Sequence, residues 1–463
     1  GNDPTEICAA LDSAIAEKER PTLIIGNTVM GRGVVKADGS NFEGQCSTHG
    51  QPLSKSGASY EKTIENLGAD PADPWHIRED VAKLYADRRA ELLETVHRRR
   101  AEEAEWRQSH PAEAAQLDDF LAGRLPVINY ASIVHKANIA TRTASANVLS
   151  ELAVYIKNMI VSSADLANSD KTDAFLKKTH ALTHGDFTGA FLHAGVAELT
   201  MASIMNGIVL HGGMIAACGT FFVFSDYMKP AIRMAALMEL PVKYVWTHDA
   251  FRVGEDGPTH EPVEQEAQIR LLEELRNLSG RPSMLVLRPA DSAETTVAWE
   301  MAMNNDKTPT GLILSRQDVT DIPTTTGDRY ADAQGTRQGG YTVIDTPNPA
   351  VILVGNGSEV SLLCDVAMRL KEEGIGARVV SVPSIGLFNM QPAAYRESIL
   401  TPGVKTFGLT AGLPSTLRSV IGSDGYIYGL DHFGASAPYK VLDEKFGFTA
   451  DNILAQVKAL INS

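Results

Sequence analysis

The chain has 463 residues, 44% of them hydrophobic and 21% charged, and a net charge of −15. Such a balance suits a folded globular protein of about three domains, and the acidic excess excludes nucleic acid or an anionic membrane surface as the main partner. No apolar run reaches the ~20 residues of a membrane span and no signal-peptide pattern opens the chain, while four separated cysteines (Cys8, Cys46, Cys218, Cys364) form neither a disulfide framework nor a zinc spacing, which points to a reduced, cytoplasmic setting.

Asp3-Pro4 reads as a helix start, and Ile7, Leu11 and Ile15 give that helix one apolar stripe. Residues 22–29 read as a strand, followed by a glycine-punctuated loop from Gly31 to Gly50. One helix and one strand cannot enclose a core, so the expectation is that a preceding segment, or another chain, completes this region. Between residues 69 and 111 the composition turns charged. Val81, Leu84, Tyr85, Leu92 and Val96 keep helical spacing, which predicts a connecting helix pair on the surface. The basic run from His97 to Arg100 is either a phosphate patch or a solvated helix face, and the acids on both sides favour the face.

From residue 125 to 317 apolar strands at 159–162, 214–218, 242–246, 284–287 and 312–314 alternate with helical patterns. This implies an α/β domain with a parallel sheet and helices on both faces. Residues 318–340, rich in Thr, Asp and Gly, read as a linker. Strands at 350–354, 378–382 and 406–409, with a helix at 360–371, then form a second α/β domain through Ser463. The turn Asn356-Gly357-Ser358-Glu359 either presents amides to an anion or simply caps its helix.

The polar stretch 247–265, THDAFRVGEDGPTHEPVEQ, emerges where the strand at 242–246 ends, and ligand sites of open α/β sheets lie at such ends. Its plainer reading is a solvated turn. Glu198 lies inside an otherwise apolar helical pattern, where a carboxyl tends to stay protonated and able to share a proton, unless it faces solvent or pairs locally. Phe221, Phe224 and Tyr227 follow at intervals of three, which on a helix makes either a strip for stacking a flat ring or plain core. Arg142 and Arg316 beside element ends, with Ser169 in a polar turn after Asp165, have the chemistry of a phosphate clamp, although singly each is ordinary surface.

Taken in order, the Thr-His-Gly-Gln-Pro-Leu loop at 48–53, ATRTAS at 140–145, SSADLANSD at 162–170, HAGVAELTM at 193–201, GTFFVFSDY at 219–227, the 247–265 stretch and LSRQ at 314–317 resemble transketolase, a thiamine-diphosphate family, over essentially the whole chain. The resemblance implies the thiamine-diphosphate-binding fold plus a transketolase-type C-terminal α/β domain. It divides the chain into a remnant of the diphosphate-binding domain (1–68), connecting helices (69–124), the pyrimidine-binding domain (125–322), a linker (323–340) and the C-terminal domain (341–463). It implies transfer of a two-carbon ketol unit between sugar phosphates in the pentose phosphate pathway. Glu198 takes the position that bonds the cofactor's aminopyrimidine, and Phe221, Phe224, Tyr227 and Asp165 surround it. His49, which also touches the cofactor, and His260 handle substrate protons, a task suited to imidazole. Asp256 reads a sugar hydroxyl, His260 is also among the substrate-binding residues, and Arg142, Ser169, His248 and Arg316 hold the terminal phosphate. A twofold homodimer is implied as well. The THD before GEDGPTH sets the chain apart from deoxyxylulose-phosphate synthase. That enzyme, dihydroxyacetone synthase and a non-catalytic regulatory homologue are the alternatives.

One departure stands out. The family binds Mg²⁺ and the cofactor's diphosphate through Gly-Asp-Gly and a later Asn, and this chain has no Gly-Asp-Gly, the nearest string being Gly254-Glu-Asp-Gly257. The expectation is that this chain holds no metal ligands, that a segment or subunit ahead of Gly1 supplies them, and that the chain alone is inactive.

Overall fold

The computed structural model describes residues 1–463, which form two compact units, Gly1–His110 and Pro111–Ser463. In the first, helix α1 (Pro4–Ala16) starts as expected: Asp3 accepts a hydrogen bond from the Thr5 amide at 2.8 Å, and Pro4 occupies the first helical position. The stripe of Ile7, Leu11 and Ile15 is exposed. The strand expected at 22–29 is absent. The segment forms no ladder with a neighbour, and Leu23 and Ile25 are 84% and 82% exposed. Apolar patterning alone does not make a strand when no ladder partner exists. The charged region is a single 31-residue helix, α2 (Glu79–Ser109), rather than a helix pair, and it buries no residue. Pairs such as Lys83–Asp87 and Arg98–Glu102 lace its surface, so the basic run belongs to a solvated face.

The second unit opens with α3 (Pro111–Leu121) and α4 (Thr141–Tyr155). A six-stranded parallel sheet comes next, built from β1 (Met159–Ser163), β2 (Phe191–His193), β3 (Ile215–Phe221), β4 (Lys243–Thr247), β5 (Leu285–Leu287) and β6 (Thr310–Leu314), in the order β2-β1-β3-β4-β6-β5. Helices α5 (Glu198–His211), α6 (Ser225–Leu237), α7 (Gln265–Glu274) and α8 (Ser292–Asn304) make the crossovers. The strands read as continuous apolar runs because both faces are covered. Trp246 lies on one side among Phe222, Tyr244 and Met284, and Trp299 on the other, donating to Ser145 Oγ at 2.8 Å. Register decides which strand ends lie together: Phe221 pairs with Thr247, Thr247 with Leu314, and Ser163 with Gly219. The chain segments leaving β1, β3, β4 and β6 therefore emerge side by side.

A five-stranded sheet completes the unit, from β7 (Tyr341–Ile344), β8 (Val351–Gly355), β9 (Ala377–Ser381), β10 (Lys405–Leu409) and β11 (Tyr426–Tyr428), in the order β11-β10-β8-β9-β7 with β7 antiparallel. Helices α9 (Glu359–Glu372) and α10 (Ala450–Asn462) cover one face. The Thr/Asp/Gly-rich segment before β7 is anchored rather than loose. It contains a short helix, Arg329–Ala333, from which Arg329 pairs with Asp291 at 2.7 Å and reaches Tyr341 Oη at 2.7 Å.

The two sheets meet through a buried ionic junction. Arg288, 1% exposed, bonds Asp249 at 2.7 Å and Glu359 at 2.5 Å, and Glu359 also receives Arg252 at 3.1 Å. Arg270 bridges Glu266 and Glu273, while the Asn356 side chain joins Arg288 to Glu266. The turn 356–359 is thus neither an anion site nor a plain cap, since its polar groups are spent on this junction. A side chain at Gly357, whose φ is +57°, would collide with the Arg288 guanidinium.

Candidate functional site

The segments that leave β1, β3, β4 and β6 carry most of the residues singled out from the sequence. After β4 comes His248, buried and in the left-handed region at φ +63°, a conformation that costs energy for a non-glycine residue and collects at functional positions. Its Nδ1 lies 2.8 Å from Thr247 Oγ1, and its ring lies on Phe221, centroids 3.5 Å apart. Its Nε2 faces Nη1 of Arg142, 3.4 Å away, at the start of α4. The same Arg142 nitrogen donates to the carbonyl of Ser169 at 2.7 Å. Arg316, just past β6, is half-buried, and its charge reaches both Arg142 and His248. Burial first, then Arg142, Arg316 and His260, push the His248 pKa down to about 2. Neither Arg142 nor Arg316 is in an ion pair, and Arg142 Nε is buried without an acceptor. Asp318 and Asp170 act on Arg142 from a distance, but no carboxylate pairs with either arginine, and two guanidinium groups beside a neutral imidazole make a cluster suited to an anion with several oxygens.

Next to it runs an aromatic wall. Phe221 stacks with Phe224 at 5.8 Å, Phe224 meets Tyr227 at 6.0 Å, and the His260 ring approaches Phe221 and Phe224 edge-on at 6.3 and 5.4 Å. The three aromatics do not share one helix, as their spacing suggested. Phe221 ends β3, Phe224 closes a 3₁₀ turn and Tyr227 stands in the first turn of α6. Their rings follow one another because the chain bends there.

Glu198 is buried, but it opens helix α5 instead of lying inside it. Gly195 at φ +69° and Ala197 outside helical geometry delay the start. Its carboxyl takes no hydrogen bond or ion pair within the chain, and helix α5 packs on β3 and α6, the elements bearing the aromatic wall. A buried acid without a partner in the chain, on a helix packed against the elements that bear the rings, keeps its hydrogen-bonding capacity for a ligand. Asp165 is exposed at φ +61° in the turn after β1, and Asp256 is exposed on the loop that carries His260. His49 is exposed in the first unit, next to the short helical turn Cys46–Thr48. No group of three or more His, Cys, Asp or Glu side chains gathers in a metal-ligand arrangement.

Two residues of this region escaped the sequence reading. Gln317, beside Arg316, is buried with both amide atoms unpartnered, and Glu261, beside His260, is buried with both carboxyl oxygens unpartnered. Each sits next to a residue the sequence did single out, and only the burial sets it apart.

Residues 137–321 match the transketolase pyrimidine-binding domain, residues 339–449 the transketolase-like C-terminal domain, and residues 1–126 the transketolase thiamine diphosphate binding domain. A transketolase of Geobacillus stearothermophilus is 39% identical over 471 residues, covering 100% of this chain and 67% of its own. Transketolase from Leishmania mexicana superposes with a TM-score of 0.86 at 32% identity, over 100% of this chain and 65% of its own. Transketolase from Pichia stipitis in complex with sedoheptulose 7-phosphate superposes with a TM-score of 0.85 at 30% identity, over 100% of this chain and 66% of its own. The chain spans about two thirds of the length of these relatives.

Proposed function

Because the chain belongs to the transketolase family and has its thiamine-diphosphate-binding fold, we propose that it serves the reversible transfer of a two-carbon ketol unit, with thiamine diphosphate and Mg²⁺, in the pentose phosphate pathway. The donor is a ketose phosphate such as xylulose 5-phosphate, and the acceptor an aldose phosphate such as ribose 5-phosphate or erythrose 4-phosphate. The observation that carries this reading is the convergence of Arg142, His248 and Arg316, none of them in an ion pair, beside the Phe221 and Phe224 rings. It provides for both a sugar phosphate and a flat heterocycle.

When bound, thiamine diphosphate supplies the electron sink for the two-carbon unit between donor and acceptor. The protein residues position and move protons. Arg142 and Arg316, with the neutral His248 and the turn at Ser169, hold the terminal phosphate and so fix the sugar's direction. Phe221, Phe224 and Tyr227 face the pyrimidine, with Asp165 in the neighbouring turn, and Glu198 holds a proton at the pyrimidine ring nitrogen. His260 and His49 exchange protons with the sugar's oxygens, His49 also touching the cofactor, and Asp256 accepts a hydrogen bond from a hydroxyl. The domain limits 1–68, 69–124, 125–322, 323–340 and 341–463 belong to the same reading.

A twofold dimer is part of the proposal, supported by exposed Leu199, Leu210, Tyr227 and Leu237 on α5 and α6. So is a reducing compartment such as the cytoplasm, since all four cysteines are free thiols. No helix of the chain is long and apolar enough to cross a membrane.

The test is an assay of the protein purified from its source, with whatever chains accompany it, given thiamine diphosphate, Mg²⁺, xylulose 5-phosphate and ribose 5-phosphate. Formation of a seven-carbon ketose phosphate is the expected result. A preparation that binds the cofactor yet converts neither sugar phosphate would overturn the reading.

A further inference from the structure

The loop carrying Asp256 and His260 rests on residues 434–439 near the end of the second sheet. Ser436 Oγ donates to the Glu255 carbonyl at 2.6 Å, and a side-chain carbon placed on Gly257, at φ +77°, would lie only 3.1 Å from Ser436 Cβ. Between the two segments lies Glu261, 2% exposed. A side chain at Gly434 would overlap Oε2 of Glu261, so the glycine exists to admit this carboxyl. The backbone amides of Gly254 and Ala435 face it from either side, Asp256 is the charged group that acts on it, and neither oxygen completes a hydrogen bond of ordinary geometry.

We propose that Glu261 is a positioning residue that fastens the loop 254–260 to the segment 434–437 and so holds Asp256 and His260 in place. The substrate role of those two residues rests on the function proposed above; the fastening does not. Burial without a cation penalises the charged form of this carboxyl more than the two amides favour it. Burial raises the Glu261 pKa to about 7, against the lowering effect of the Ala435 and Gly254 amides and aided by Asp256. Because the folded-state value is raised, the fastening is complete below the ordinary carboxyl range and is lost as pH rises through about 7.

Hydrogen–deuterium exchange on the full chain, corrected for intrinsic rates, tests this between pH 5.5 and 8.5 in the free protein. The wild type is expected to lose protection about tenfold or more across that range, in 254–260 and 434–437 together. Glu261→Gln, permanently neutral and of the same shape, should keep its acid-side protection throughout, and Glu261→Ala should lack protection at every pH. If Glu261→Ala does not fold, Glu261→Gln carries the test alone. The proposal is overturned if Glu261→Gln keeps the wild-type pH dependence, or if a folded Glu261→Ala leaves 434–437 as protected as in the wild type. Xylulose 5-phosphate, added to the protein with its accompanying chains, thiamine diphosphate and Mg²⁺, separates the two readings. If it fails to protect 254–260 while the pH effect persists, the substrate assignment falls and the fastening stands.

Discussion

Arg142 and His248 meet end to end, Nη1 3.4 Å from Nε2, with neither group paired to a carboxylate. An arrangement of donors that points inward and is left uncompensated stores unused binding capacity for an anion. Arg142→Ala should therefore weaken binding of ribose 5-phosphate while leaving the weaker binding of ribose unchanged. Hydrogen bonds to charged groups contribute about 1.5–3 kcal/mol, which is roughly a 10- to 150-fold loss in affinity. Isothermal titration of both sugars checks it, and equal losses for both would refute the phosphate assignment.

His248 is expected to stay neutral through the physiological range. Its pKa is pushed down to about 2 by burial and by the neighbouring cationic groups. The sign follows from linkage. With the folded-state value depressed, the unfolded chain binds the extra proton, so stability is intact above the ordinary imidazole range and declines as pH falls below about 6.5. The ring resonances of His248 should not titrate between pH 8 and 5. Replacing His248 with Asn should reduce the loss of stability on acidification, as measured by urea denaturation at pH 7 and 5.

The strands of the first sheet were legible because a strand buried on both faces is an apolar run, and the runs at 159–162, 242–246 and 312–314 fall within one or two residues of β1, β4 and β6. The edge strand Phe191–His193 was not: it is three residues long and, unlike the equally short β5 with its Leu-Val-Leu, it ends on an exposed polar His193. The residues that meet around His248 come from segments up to 174 positions apart, the separation between Thr141 and Ser315, which hydrogen-bond beneath Arg142 and Arg316. Spacing along the chain carries no trace of that meeting, and the resemblance alone suggested it. Residues such as Asn356 and Glu359 misled for a related reason: a buried partner like Arg288 is invisible until the two sheets are brought together.

Arg288 is the cation on which that junction turns, and its loss should be severe. Arg288→Met leaves Asp249 and Glu359, both almost fully buried, without their main counter-charge. Breaking one side of a buried ionic group costs about 3–5 kcal/mol. Equilibrium denaturation should show that loss. The combination Asp249→Asn, Arg288→Met, Glu359→Gln should cost clearly less than Arg288→Met alone, because no buried charge is then left over. Equal costs would mean that packing, not charge, dominates the site.

Gly311 in β6 tests the packing of the first sheet. A Cβ there would run into the six-membered ring of Trp246 on the adjacent β4 and the Met284 methyl at 2.9 Å. Trp246 is fully buried between Phe222 and Tyr244, at 5.7 and 5.6 Å, and has nowhere to retreat. Gly311→Ala should therefore destabilise the chain by about 1–3 kcal/mol, the usual cost of overpacking, although alanine would otherwise favour the strand over glycine. Shrinking the obstacle should remove that cost: in a Trp246→Phe background the added methyl fills part of the space vacated by the indole. Urea denaturation of the wild type, the two single variants and the double variant closes the cycle. The coupling between the two positions should exceed about 1 kcal/mol, with the double variant more stable than the sum of the single costs predicts. A coupling near zero would mean that the methyl is rejected by Met284 or by the backbone, and that the glycine does not exist to make room for the indole.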